Sequence, residues 1–73
     1  MNKNQKPMSP IELLAHARQV ALIATNEKLL QQWREAHKTE IDFQASGLQE
    51  EAELWAQVVN VYEDEILRRM AGR

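Results

Sequence analysis

The 73-residue chain carries 9 Lys and Arg against 11 Asp and Glu, a formal net charge of -2, with 44% hydrophobic residues, two glycines, two prolines and no cysteine. A chain this short buries only about 60% of its unfolded surface, which leaves room for one small domain and little for an enclosed substrate pocket. Without cysteine there is no disulfide framework, thiolate metal knot or sulfur nucleophile, and a reducing, cytoplasmic setting is expected.

Residues 1–8 are polar, end beside a proline and have little to bury, so a flexible arm is expected there. The stretch that follows is interrupted by Glu12, His16 and Arg18 and makes no apolar core of an export signal. The longest apolar run, Val20 to Ala24, is five residues against the ~20 of a membrane-spanning helix, so no membrane association is expected.

Ser9-Pro10-Ile11-Glu12 reads as a helix start: the Ser hydroxyl can accept from the Glu12 amide while the Glu12 carboxylate reaches back, and Pro10 falls where its missing donor costs nothing. Ile11, Leu14, Ala17, Ala21 and Ala24 form one stripe of this helix, over about 10–25. Leu13, Val20, Leu22 and Ile23 spread apolar surface round the rest of the cylinder. A second helical pattern over about 27–44 holds Leu30, Trp33, Ala36, His37, Ile41 and Phe43. Thr25 or Asn26 can cap it, giving three helices, yet neither is a breaker, and one continuous helix into a two-helix hairpin fits the pattern equally.

Ser46-Gly47-Leu48-Gln49 repeats the capping pattern, with Ser46 as the cap and Gln49 returning, and Gly47 favours a turn. The last helix is expected over about 47–71, stopped by Gly72. Its row Leu48, Ala52, Trp55, Val59, Tyr62, Ile66 alternates spacings of four and three, and Leu54, Val58, Val61 and Leu67 lie beside it, too broad a face for a two-stranded seam. The fold class is therefore all-α, a helical hairpin or three-helix bundle. Leu14, Ala21, Leu30, Trp33, Trp55, Val59, Tyr62 and Ile66 are its expected core or self-association residues. A lone copy has little core for its length, and a homodimer is the simplest remedy.

Charge is unevenly distributed. Residues 1–38 hold six cations and three anions, residues 39–67 hold eight anions and no cation, and Arg68, Arg69 and Arg73 restore the balance. Much of this is the ordinary chemistry of a solvated helix: Glu50, Glu51 and Glu53 favour the N-terminal dipole, and Asp64–Arg68 and Glu65–Arg69 have the spacing of surface ion pairs. The functional expectation is an acidic surface on the last helix, Glu51, Glu63, Asp64 and Glu65 with Phe43 near the turn, that docks a protein partner with a basic surface. The alternative is a nucleic-acid-binding dimer using Arg18, Lys28, Arg34 and Lys38, which the acidic balance opposes. Glu12/His16 and His37/Glu40 are isolated pairs without the further carboxylates of a bundle metal site, and Ser9 and Ser46 are accounted for as caps. Neither catalysis nor a cofactor is expected.

Overall fold

The structure, a computed structural model, describes residues 9–72, so the expected arm and Arg73 lie outside the described residues. Three helices follow one another, α1 (Pro10–Ile23), α2 (Asn26–Ala45) and α3 (Gln49–Ala71). The fold is an all-α three-helix bundle, and the chain turns at Thr25 instead of running on as a continuous helix.

Each end has a local cause. At α1, the Ser9 Oγ accepts from the Glu12 N–H at 3.2 Å and the Ser9 N–H donates to Glu12 Oε1 at 3.0 Å, with Pro10 in the first turn. Ala24 and Thr25 are both extended, which turns the chain in two residues, and Thr25 Oγ1 then accepts from the Lys28 N–H at 3.1 Å to start α2.

The α2–α3 junction departs from the expected second capping box. Gly47 sits at φ +76°, its N–H donates to the Gln44 carbonyl at 3.1 Å, and the Leu48 N–H donates to the Phe43 carbonyl at 3.0 Å. This is a Schellman ending of α2. It holds Ser46 in a helical conformation as the C-cap, so the Ser46 hydroxyl does not serve α3. Leu48 takes the N-cap place of α3 without a side-chain bond, and the helix begins at Gln49.

Helix α3 is the platform of the bundle. It packs most extensively against α2 and also against α1, while α1 and α2 barely touch. Pro10 lies beside Leu54 and Gln57, and Ala21 beside Val61 and Glu65, so α1 runs parallel to α3. Asn26 and Leu29 meet Ile66 and Arg69, so α2 runs antiparallel to it.

The core comprises Ala17, Ala21, Leu29, Ala36, Val58, Val59 and Tyr62, flanked by half-buried Leu14, Trp33, Trp55 and Ile66 among others. Of the residues expected in the core or in self-association, Leu30 is the one that stays on the surface, at 43% exposure. The buried row of α2 runs through Leu29 and Ala36, and a residue one position on from Leu29 is turned 100° round the helix. Four of the eight buried apolar residues are alanine, and only Leu29 and Val58 are large and fully enclosed. No helix among the described residues is long and apolar enough to cross a membrane.

Candidate interaction surface

The expected acidic face separates into parts. Consecutive helical residues point 100° apart, so Glu63, Asp64 and Glu65 look in three directions. Glu63 is exposed on the outer side of α3, and Asp64 lines a groove between α1 and α3 with Arg18, Leu22 and Arg68. Glu65 is only 7% exposed. Glu51 is exposed beside Pro10, twelve residues and about 18 Å along the helix from Glu63. Phe43 is half-buried at the C-terminal end of α2, where it anchors the Schellman ending.

Glu65 forms a structural knot. Arg68 grips it through two bonds, Nε to Oε1 at 2.9 Å and Nη2 to Oε2 at 2.6 Å, and Arg69 Nε donates to Oε2 at 2.8 Å. The expected Asp64–Arg68 pair is absent among the described residues because Arg68 turns to Glu65 instead. These bonds, those from Arg68 foremost, hold the Glu65 carboxyl down at about 2 despite its burial, and raise the Arg68 guanidinium above its ordinary value. Arg69 extends the knot to the other two helices: Nη1 donates to Asn26 Oδ1 at 2.7 Å and Nη2 to the Ala21 carbonyl at 2.9 Å.

Beside this knot a groove of about 250 Å³ is lined by Asn26, Leu29, Leu30, Ile66, Arg69 and Met70. Leu30 on one wall is partly in solvent and Met70 (64% exposed) on the other largely so, with Leu67 (57% exposed) next to Met70 on α3. Glu63 is exposed one turn before Leu67, Glu27 one turn before Leu30 and Arg34 one turn after Leu30, and Arg69 lines the groove itself, so charge of both signs surrounds the apolar patch. Leu30 is among the residues expected in the core or in self-association, and Met70 has no expected place. The signal for this patch was the second apolar row of α3, which ends at Leu67.

A second cleft, about 260 Å³, opens where α1 and α2 stand apart over α3. His16, Gln32, Glu35 and Thr39 rim it above Trp55 and Tyr62. Burial, and secondarily the Glu35 carboxylate, push the Tyr62 phenol above its ordinary value. Thr39 Oγ1 is turned back to the Glu35 carbonyl at 2.9 Å. His37, one turn from Trp33, stacks on the indole with ring centres 5.5 Å apart and planes 11° from parallel. The Trp33 Nε1–H is buried without an acceptor among the described residues. No three His, Asp or Glu side chains among the described residues are placed to hold one metal ion.

The basic residues of the first half do not share one surface. Arg18 faces the α1–α3 groove, whereas Arg34 and Lys38 are exposed one turn apart on α2. No protein-family model matches the chain, and neither a curated protein nor a solved structure matches it.

Proposed function

We propose that the chain is a non-enzymatic helical module that works by binding another protein, taking an apolar side chain of that partner into the groove between Leu30 and Met70. Glu63, one turn before Leu67, and Glu27, one turn before Leu30, favour a partner that presents basic residues at those two points, because an acidic group near an apolar patch speeds the encounter and orients it. One observation carries the reading: Leu30, Leu67 and Met70 remain in solvent round an apolar-lined groove while half of the buried core is alanine. Large apolar side chains stabilise by about 1.5–3 kcal/mol each when fully enclosed, so covering this patch adds more per residue than the alanines inside. The mode of action is occlusion or scaffolding. Ser9 and Thr25, two of the few hydroxyls of the chain, are engaged as helix caps rather than poised beside a base.

The test isolates the partner with tagged chain from lysate of the cells that encode it, and then measures the purified pair with two variants. Met70→Glu should abolish binding with helicity intact by circular dichroism. Glu63→Lys should slow association at low salt with little change in dissociation. A partner held equally well by Met70→Glu would overturn the reading.

A further inference from the structure

In the cleft between α1 and α2, polar side chains of all three helices converge: His16 from α1, Gln32 and Glu35 from α2, and Tyr62 from α3. The space between them, about 260 Å³, stays open because α1 and α2 barely touch, and it shares no residue with the Leu30–Met70 groove. Concave sites of this kind, with an apolar floor and a few convergent polar groups, are where helical bundles hold small ligands.

Two of the polar groups lack a partner. Tyr62 is only 5% exposed, yet its hydroxyl makes no hydrogen bond among the described residues. A hydroxyl withdrawn from water calls for a partner, and this one lines the cleft. Burial foremost, and then the Glu35 carboxylate, hold the phenol above its ordinary value, so it stays neutral and its oxygen can both donate and accept. Glu35 accepts one bond at Oε2, from Gln31 Nε2 at 3.3 Å. It has no ion-pair partner among the described residues, although Lys38 follows one turn later on α2.

Glu35 is also the only Asp, Glu, Lys or Arg on the lining, and the Thr39 hydroxyl is spent on the Glu35 carbonyl. The cleft therefore presents one uncompensated negative charge beside an unpartnered phenol, above a floor of Trp55 and Val58. We infer that it binds a small organic ammonium, the charged nitrogen held between the Glu35 carboxylate and the Tyr62 hydroxyl and a flat apolar body laid on the floor. An ammonium brings three donors, and Glu35 Oε1, the Tyr62 oxygen and the Gln32 side-chain carbonyl are acceptors for them. An anion would meet the Glu35 charge head-on. A lysine stem has the same nitrogen but no flat face to cover the Trp55 ring, so the floor favours a free aromatic amine.

The test titrates phenethylamine hydrochloride into the isotope-labelled full chain and follows the backbone amide resonances. Those of Gln32, Glu35 and Tyr62 should shift together and saturate. Phenylethanol, with the same ring and no charge, and acetyl-lysine amide, with the charge and no ring, should each bind about tenfold more weakly or worse. Glu35→Gln keeps the size of an exposed side chain and should weaken phenethylamine about tenfold while leaving phenylethanol unchanged. Tyr62→Phe should also weaken it with helicity intact, and Glu63→Gln, on the outer side of α3, should not. No saturation up to about 20 mM, equal binding of either control compound, or an equal effect of Glu35→Gln and Glu63→Gln would each overturn the inference. None of these outcomes bears on the Leu30–Met70 groove, whose own test is separate.

Discussion

Arg69 reaches 48 residues back along the chain to donate a hydrogen bond to the Ala21 carbonyl, at 2.9 Å. Ala21 lies in the last turn of α1, where carbonyl groups lose their partners in the helix, and the guanidinium supplies what the chain direction removes. The same guanidinium holds Asn26 in the first turn of α2. One side chain therefore fixes the corner between two helices that hardly touch. Replacing Arg69 with Met keeps most of the stem but leaves both acceptors unpaired, and should cost about 1–3 kcal/mol in urea unfolding. Arg69→Lys should recover only part, since an ammonium cannot span three acceptors in a planar fork.

Glu65 makes stability depend on pH in a defined direction. Its carboxyl sits at about 2 in the folded chain against an ordinary 4.5, so the folded state holds the proton more weakly than the unfolded state. The contribution is complete above about pH 4.5 and is lost as pH falls toward 2. Urea midpoints at pH 6, 4 and 2.5 should fall progressively. The Glu65→Gln variant should begin lower and lose less over the same interval, and parallel curves for the two proteins would show that Glu65 is not the group responsible.

Two serines with the same sequence context should behave differently. Ser9 accepts a capping bond and Ser46 does not cap α3. Ser9→Ala should cost about 1 kcal/mol, and Ser46→Ala should stay within about 0.5 kcal/mol. Gly47→Ala should cost about 1–2 kcal/mol through its positive φ alone, because nothing lies within 4 Å of an added Cβ.

The contrast between a side chain packed on the core and one on the groove wall is checked by two truncations, one in α3 and one in α2. Trp55→Ala removes a half-buried ring packed on the core and should cost about 2–4 kcal/mol, near the low end of the range for aromatic truncation. Leu30→Ala should cost the isolated chain only about 1 kcal/mol, well below Trp55→Ala, while weakening partner binding. Equal losses at the two positions would place Leu30 inside the bundle.

Much of the fold is legible in single residues. Ser9, Pro10 and Glu12 announce α1, and the Ala52–Trp55–Val59–Tyr62–Ile66 row lies on the buried side of α3, whereas the sequence leaves open whether the chain turns at Thr25-Asn26, and the Thr25 cap decides it. The failures have physical causes. Ser46-Gly47 satisfies two local patterns, a start and a stop, and the glycine settled it because its positive φ completes the end of α2. Leu29 and Leu30 are chemically identical, so only the rotation set by the Thr25 cap decides which enters. Glu63, Asp64 and Glu65 adjoin along the chain but point 100° apart round the helix, so a run of charge in sequence is not one face. The Arg69 bonds to Asn26 and Ala21 join positions 43 and 48 residues apart and have no local signature at all.

The dependence of α1 on α3 also bears on how the chain folds as it is made. During vectorial synthesis α1 is made before α3, which among the described residues is its main docking partner. Its leucines and isoleucines therefore wait uncovered until α3 has been made, while α2 and α3 can close as neighbours by a short loop. In a nascent chain this is the element that chaperones would meet first, and stalling translation before Val58 should leave it accessible to protease.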